Sequence, residues 1–187
     1  MRRIRIVVAY DGTNYCGWQI QPNGITIEEI LNRQISKLTG EDIRIIGASR
    51  TDSGVHALGN VAVFDTESRI PGDRFAYALN QKMPEDIVIV RSDEVQIDWH
   101  PRYQNEISKT YEYHIYNAKV RNPLKNRYST FVSFDLDVEK MRQGAKYILG
   151  EHDFASFCNV RTNAKDTVRT VHEITIKEIP MDKFQAS

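Results

Sequence analysis

Cysteine is scarce: Cys16 and Cys158 are the only two among 187 residues. Two thiols build no disulfide framework, and there is no Cys-x-x-Cys pair or His/Cys cluster at zinc-ligand spacing. A reduced, cytoplasmic, metal-free protein is the expectation. Long apolar runs are missing as well. The opening Ile4-Arg5-Ile6-Val7-Val8-Ala9-Tyr10 follows Arg2-Arg3 and is too short and too charged for a signal or membrane segment, so no membrane partner is expected. Nor is there an excess of either sign of charge: 25 Lys and Arg balance 25 Asp and Glu. The overall basic excess common in nucleic-acid binders is therefore absent, although a positive patch can coexist with acidic faces elsewhere.

What remains is an ordinary globular composition, 41% hydrophobic and 27% charged. It is enough for one core or for two small halves. The run from Ile4 to Tyr10 reads as a buried β-strand. Asp11-Gly12-Thr13-Asn14-Tyr15-Cys16-Gly17-Trp18-Gln19 is turn chemistry carrying two aromatics, Tyr15 and Trp18, that can plug a core. Thr26-Ile27-Glu28-Glu29 is a capping box. It predicts an amphipathic helix with Ile27, Ile30, Leu31, Ile35 and Leu38 on one side and a stop at Gly40. Strands are predicted at 43–46 and 60–64. A short helix is predicted from Pro71-Gly72-Asp73, with Asp73 able to cap, and a further strand at 87–90. The first half thus reads β-α-β-β-α-β, the split order of a ferredoxin-like unit.

Between the second and third strands lies Gly47-Ala48-Ser49-Arg50-Thr51-Asp52-Ser53-Gly54-Val55-His56-Ala57. A carboxylate on a tight loop between two strands has rigid neighbours and can still face a cleft. Arg50 can orient Asp52, favour its ionised form or clamp a phosphate. The plain alternative is an Asx-type turn with a surface ion pair of little consequence.

Farther on, Asp98-Trp99-His100-Pro101-Arg102-Tyr103 joins the two halves. His100 and Arg102 are candidates there, against the plain reading of a solvated loop. The alternation in 108–116 puts Tyr111, Tyr113 and Ile115 on one strand face, a tyrosine-rich core face in the plain reading. Lys119, Arg121, Lys125 and Arg127 cluster on a proline-containing loop, suited either to phosphate contacts or to solvent. Asp137 caps a helix whose buried side is Val138, Met141, Ala145, Ile148 and Leu149, ending at Gly150. Arg161, Lys165 and Arg169 surround a polar loop, again candidate phosphate contacts, and 170–179 alternates as a last strand.

Several of these segments resemble, in order, the motifs of the tRNA pseudouridine synthase A family. Arg50-Thr51-Asp52-Ser53-Gly54-Val55-His56-Ala57 is similar to its signature, with Ser49 where the family usually has glycine. Tyr10-Asp11-Gly12-Thr13 through Tyr15, Gly17, Trp18 and Gln19 resembles its opening motif. Trp99-His100-Pro101-Arg102-Tyr103, Lys109-Thr110-Tyr111-Glu112-Tyr113 and His152-Asp153-Phe154-Ala155-Ser156-Phe157 resemble three more. In the last, Asp153 and the two phenylalanines read as structural. The resemblance runs from Arg5 to Ile179.

The resemblance implies an α+β protein of two ferredoxin-like (RRM-like) halves, 1–105 and 106–187, with antiparallel sheets forming a cleft. It implies isomerisation of uridine to pseudouridine at positions 38–40 of the tRNA anticodon stem-loop, by a homodimer that needs no cofactor. Asp52 is the implied catalytic residue. Arg50 would fill the space left by a flipped base or hold the flipped backbone, Tyr111 would stack on the uracil, and Arg102 would line the RNA cleft. The family continues past its last shared strand into a further strand and helix that supply a basic and an apolar residue to the site. This chain ends at Met181-Asp182-Lys183-Phe184-Gln185-Ala186-Ser187, so the second half is expected to be incomplete, and the reaction is implied for the full-length relative rather than for these 187 residues alone. Two other readings compete. One is a non-catalytic RNA-binding module or an inactive fragment of such an enzyme, because split β-α-β units also bind RNA through a sheet face. The other is a glycoside hydrolase, which would want a second carboxylate across the cleft from Asp52.

Overall fold

The computed structural model describes residues 1–103, 108–158 and 166–179. The chain divides into two compact units, Met1–Tyr111 and Glu112–Ser187.

In the first unit, β1 (Arg2–Tyr10) runs between β3 (Ala57–Thr66) and β4 (Ile87–Val95), antiparallel to both. A short β2 (Ile46–Gly47) pairs with the outer side of β3, giving the order β2-β3-β1-β4. The alternation of β1 sets the layers: Ile4, Ile6, Val8 and Tyr10 point into the core, and the intervening Arg3, Arg5 and Val7 take the other face. On that other face Arg3 grips Asp65 through two hydrogen bonds of 2.7 Å. Arg5 grips Asp93 and lies 5.3 Å from the Trp99 ring centroid.

Helix α1 (Ile27–Thr39) begins where the capping box places it, with the Thr26 hydroxyl accepting the Glu29 amide at 3.3 Å. It ends at Gly40, which adopts φ 78°, a left-handed cap that glycine takes without a Cβ penalty. Its buried residues are Ile27, Ile30, Leu31 and Ile35, with Leu38 partly buried against the same core. Helix α2 (Phe75–Asn80) buries Phe75 and Leu79, and the Phe75 ring meets Phe64 edge-on at 5.3 Å. Asp73 does not cap it. A 3-10 turn, Gly72–Arg74, leads into α2, and the Ser92 hydroxyl takes the Ala76 amide at 2.8 Å.

The strand expected at 43–46 forms only at its end. The Ile43 amide donates to the Ser36 hydroxyl and the Ile45 amide to the Asn32 side chain. Both acceptors stand on α1, so the segment is stitched to the helix instead of to the sheet.

The second unit carries two two-stranded sheets and one helix among its described residues. β5 (Ile115–Asn117) pairs with β6 (Thr130–Val132) in parallel, and β7 (Gly150–Asp153) pairs with β8 (Val168–Val171) antiparallel. α3 (Val138–Ala145) lies between the pairs and opens on Asp137, which accepts the Lys140 amide at 3.0 Å. Several expectations need correction. The strand predicted at 108–116 forms only from Ile115 onward, with the His114 carbonyl accepting the Thr130 amide just before it, and Tyr111 and Tyr113 are exposed rather than core-facing. α3 stops at Ala145, and Gly150, at φ 95°, opens β7 instead of closing the helix. The last strand lies at Val168–Val171 rather than 170–179. No described residue of this unit is buried. Among the described residues the helix and strand patterns are therefore present without a buried core.

Candidate functional site

The loop between β2 and β3 is held by the segment that follows β1. The Trp18 amide donates to the Thr51 carbonyl at 3.0 Å. The Gly54 amide and the Ser53 hydroxyl both donate to the Tyr15 carbonyl, at 3.3 and 3.2 Å. The Gly12 amide donates to His56 Nδ1 at 3.1 Å, and Asp11 Oδ1 lies 3.0 Å from the same nitrogen. Two glycines make this approach possible. A Cβ on Gly12 would stand 2.0 Å from the Val55 carbonyl oxygen, and one on Gly17 would stand 2.5 Å from that of Thr51. Trp18 and Tyr15 plug the core, as their spacing suggests, at 2% and 7% exposure. The Trp18 ring lies where a Cβ on Gly47 would be, 2.6 Å away.

On this clamped backbone Arg50 and Asp52 are both exposed, and Thr51 between them is only partly so. Among the described residues no ion pair joins Arg50 to Asp52, so Arg50 does not neutralise the carboxylate by direct contact. Asp52 accepts the Val55 amide through its main-chain carbonyl at 3.2 Å, which closes the turn and leaves the carboxylate outside it.

Two more cations stand beside the loop. Arg102 Nε donates to the Gly47 carbonyl at 2.8 Å, and Lys109 Nζ lies 3.4 Å from the Ala48 carbonyl. Arg102 is thus fixed at the entrance to the loop that carries Arg50 and Asp52. His100 stacks on Tyr103 at 4.5 Å and accepts the Arg102 amide through Nδ1 at 3.1 Å. Tyr111 is 71% exposed and makes no ring contact or side-chain hydrogen bond among the described residues. A shallow depression lined by Tyr15, Arg33, Lys82 and Met83 does not include Asp52.

The basic loop of the second unit is partly committed elsewhere. Lys119 pairs with Asp135 at 2.8 Å, Arg121 lies 5.1 Å from the Phe131 centroid, and Lys125 lies 5.2 Å from that of Tyr116. Arg161 and Lys165 fall outside the described residues. Arg169 sits in β8, where its guanidinium donates to the Val168 carbonyl.

Two residues under the loop, Tyr10 and Asn60, read in the sequence only as strand or motif members, with no role at the site. Each left a signal. Tyr10 ends the buried series Ile4, Ile6, Val8 and brings a hydroxyl into an apolar layer. Asn60 is an amide opening the apolar run Val61-Ala62-Val63-Phe64.

An exposed carboxylate thus stands on a backbone-clamped loop with Arg50, Arg102 and Lys109 near it on the same stretch of chain or bonded to its carbonyls, an arrangement suited to a polyanion. The description tRNA pseudouridine synthase belongs to the family model that matches residues 6–104 and 145–186. The chain is 48% identical to tRNA pseudouridine synthase A of Acetivibrio thermocellus, over 99% of this chain and 76% of the relative. It is 45% identical to the protein of the same name from Ruminiclostridium cellulolyticum, over 100% of this chain and 77% of the relative. It is also 45% identical to that of Thermoanaerobacter sp., over 95% and 72%. The chain belongs to the tRNA pseudouridine synthase family. Arg50, Asp52 and Arg102 fall within the residues that the family model matches, and Tyr111 lies between the two matched segments.

Proposed function

We propose that this chain carries the uridine-to-pseudouridine chemistry of its family, acting on tRNA at positions 38–40 of the anticodon stem-loop, with Asp52 as the catalytic residue. The reaction is an isomerisation. The bond from ribose C1′ to uracil N1 breaks, C1′ bonds to C5, the C5 proton leaves to solvent and N1 takes one up. No electrons are transferred, so the balance closes without a redox cofactor. The step needs an ionised carboxylate, as nucleophile at the sugar or base or as base at the ribose 2′ position.

A uridine in a stem must first leave the stack, at a cost of a few kcal/mol. Arg50 is suited to the vacated space or to the backbone of the flipped nucleotide. Arg102 is suited to a neighbouring phosphate. Tyr111 offers the uracil a ring face, a contact worth about 1–3 kcal/mol. The observation that carries this reading is the clamped loop, which holds its backbone from beneath and presents Arg50 and Asp52 to solvent together. The wider reading is a cytoplasmic homodimer with two ferredoxin-like halves, 1–105 and 106–187, the first bearing the catalytic loop. The order β2-β3-β1-β4 with every pairing antiparallel supports the first half of it.

The test is tritium release from tRNA labelled at uridine C5. Release by the wild-type protein, abolished in Asp52→Ala with tRNA affinity within about twofold, supports the reading. Retained release in Asp52→Ala removes Asp52 from the role. Binding without release by the wild type favours an RNA-binding module instead.

A further inference from the structure

Beneath the loop, one chain of hydrogen bonds ties the two residues on either side of Arg50 to the central strands. Asn60 Nδ2, on β3, donates to the Ser49 carbonyl at 3.1 Å and to the Tyr10 hydroxyl at 3.4 Å. The Tyr10 hydroxyl, at the end of β1, lies 2.8 Å from Thr51 Oγ1. The tyrosine oxygen accepts from Asn60, and either hydroxyl can donate the bond it shares with Thr51. Tyr10 and Asn60 are 5% and 8% exposed.

A phenylalanine would fill the Tyr10 site as well, without a polar atom to desolvate. A buried hydroxyl costs stability unless it is bonded. Here the bond is spent on the loop. The Thr51 carbonyl is held in turn by the Trp18 amide at 3.0 Å. Ser49 is thus fixed through its carbonyl, and Thr51 through both its carbonyl and its hydroxyl. Ser49 and Thr51 are partly buried while Arg50 and Asp52 are exposed, so fixing 49 and 51 from below sets where Arg50 and Asp52 stand above.

We propose that Tyr10 and Asn60 are positioning residues for the reaction at Asp52, acting through Thr51 and the Ser49 carbonyl. The proposal rests on the catalytic role assigned to Asp52. Burial raises the Tyr10 pKa above its ordinary value, so the hydroxyl stays protonated. Misplacing a reacting group by about 1 Å can cost about a hundredfold in rate, so a slackened loop is expected to act on turnover more than on tRNA binding.

The experiment compares wild type, Tyr10→Phe, Thr51→Val, Thr51→Ser and the Tyr10→Phe/Thr51→Val pair. Tritium release gives kcat and KM, and amide hydrogen exchange is followed over residues 47–57. Expected are a kcat about tenfold lower in Tyr10→Phe and in Thr51→Val with KM within about twofold, no further loss in the pair, and near wild-type turnover in Thr51→Ser. Exchange over 47–57 rises in the impaired variants. Wild-type turnover in folded Tyr10→Phe, a loss confined to KM, or additive losses in the pair would overturn the proposal. Folded wild-type protein without tritium release overturns the reaction assigned to Asp52 instead. The exchange measurement still decides whether the network holds the loop, and unchanged exchange in Tyr10→Phe says it does not.

Discussion

Gly17 lies directly against Thr51: at φ 81° it leaves only 2.5 Å between the place of a Cβ and the Thr51 carbonyl oxygen. Two penalties therefore meet in Gly17→Ala. A left-handed alanine costs about 1 kcal/mol or more, and a methyl against main-chain oxygen forces the loop or the Trp18 segment to move. Gly54, at φ 78° with nothing within 4 Å of its Cβ position, bears the first penalty alone. Thermal unfolding is expected to rank Gly17→Ala well below Gly54→Ala, which should lose about 1 kcal/mol. Equal losses would mean that the contact at Thr51 yields freely.

Alkaline stability follows from two tyrosines. Burial, reinforced for Tyr15 by its hydrogen bond to Asp86, raises the pKa of both Tyr10 and Tyr15 above the ordinary value. In the unfolded chain each loses its proton near pH 10, while the folded chain keeps it. Above that pH the unfolded state binds fewer protons than the native one, so stability falls as pH rises. The contribution is whole below about pH 9 and is lost at about 1.4 kcal/mol per pH unit for each tyrosine until the folded pKa is reached. Urea unfolding from pH 8 to 11 is expected to show a steep alkaline limb in the wild type. Tyr15→Phe should have a shallower one, and a lower plateau from the lost Asp86 bond. Parallel limbs in the two proteins would leave Tyr15 out of the alkaline transition.

Much of the first unit is legible because its signals are local. Thr26, Glu29 and Gly40 mark both ends of α1 by capping chemistry that involves only neighbours in sequence. The alternation of β1 needs only one face to be covered, and α1 and α2 contribute Ile30, Leu31, Phe75 and Leu79 to the core beneath it. The loop motif displays Arg50 and Asp52, but the Tyr10–Asn60 network under it is a meeting of two strands 50 residues apart; each polar residue stands out locally, and their meeting does not.

The second unit misled for the complementary reason. Tyr111, Tyr113 and Ile115 alternate as a half-buried strand should. Alternation states which face a strand would bury, however, not what covers it. Ile148 and Leu149, each 39% exposed, continue the helical spacing of α3 past Ala145 where the helix itself stops. Pairing partners and covering surfaces are non-local, and the described residues of this unit supply few of them.

An ion pair on the polar face of the first sheet contrasts with one in the second unit. Arg3 and Asp65 are 15% and 30% exposed and joined by two hydrogen bonds. Asp65→Ala leaves a guanidinium without its fork partner in a partly shielded place and is expected to cost about 1.5–3 kcal/mol. Lys119 and Asp135, at 74% and 89%, stand in water, and Asp135→Ala should change stability by less than about 0.5 kcal/mol. Denaturant midpoints of the two variants measure the difference, and similar shifts would show that burial does not separate the pairs.

Arg102 and Lys109 reach the same short stretch of main chain, the Gly47 and Ala48 carbonyls that lead into the loop. Hydrogen bonds to carbonyl oxygens fix where the two cations stand and do not themselves cancel their charge, an arrangement suited to a polyanion beside Arg50. Phosphate contacts reveal themselves through released counterions: each one lost lowers the slope of log K against log salt by about 0.7–0.9. Arg102→Ala and Lys109→Ala are each expected to weaken tRNA binding at low salt, to reduce that slope by about one contact, and to lose their effect as salt is raised. Filter binding between 50 and 300 mM salt measures it. Weakened binding with an unchanged slope would mean that these side chains brace the loop and do not touch phosphate.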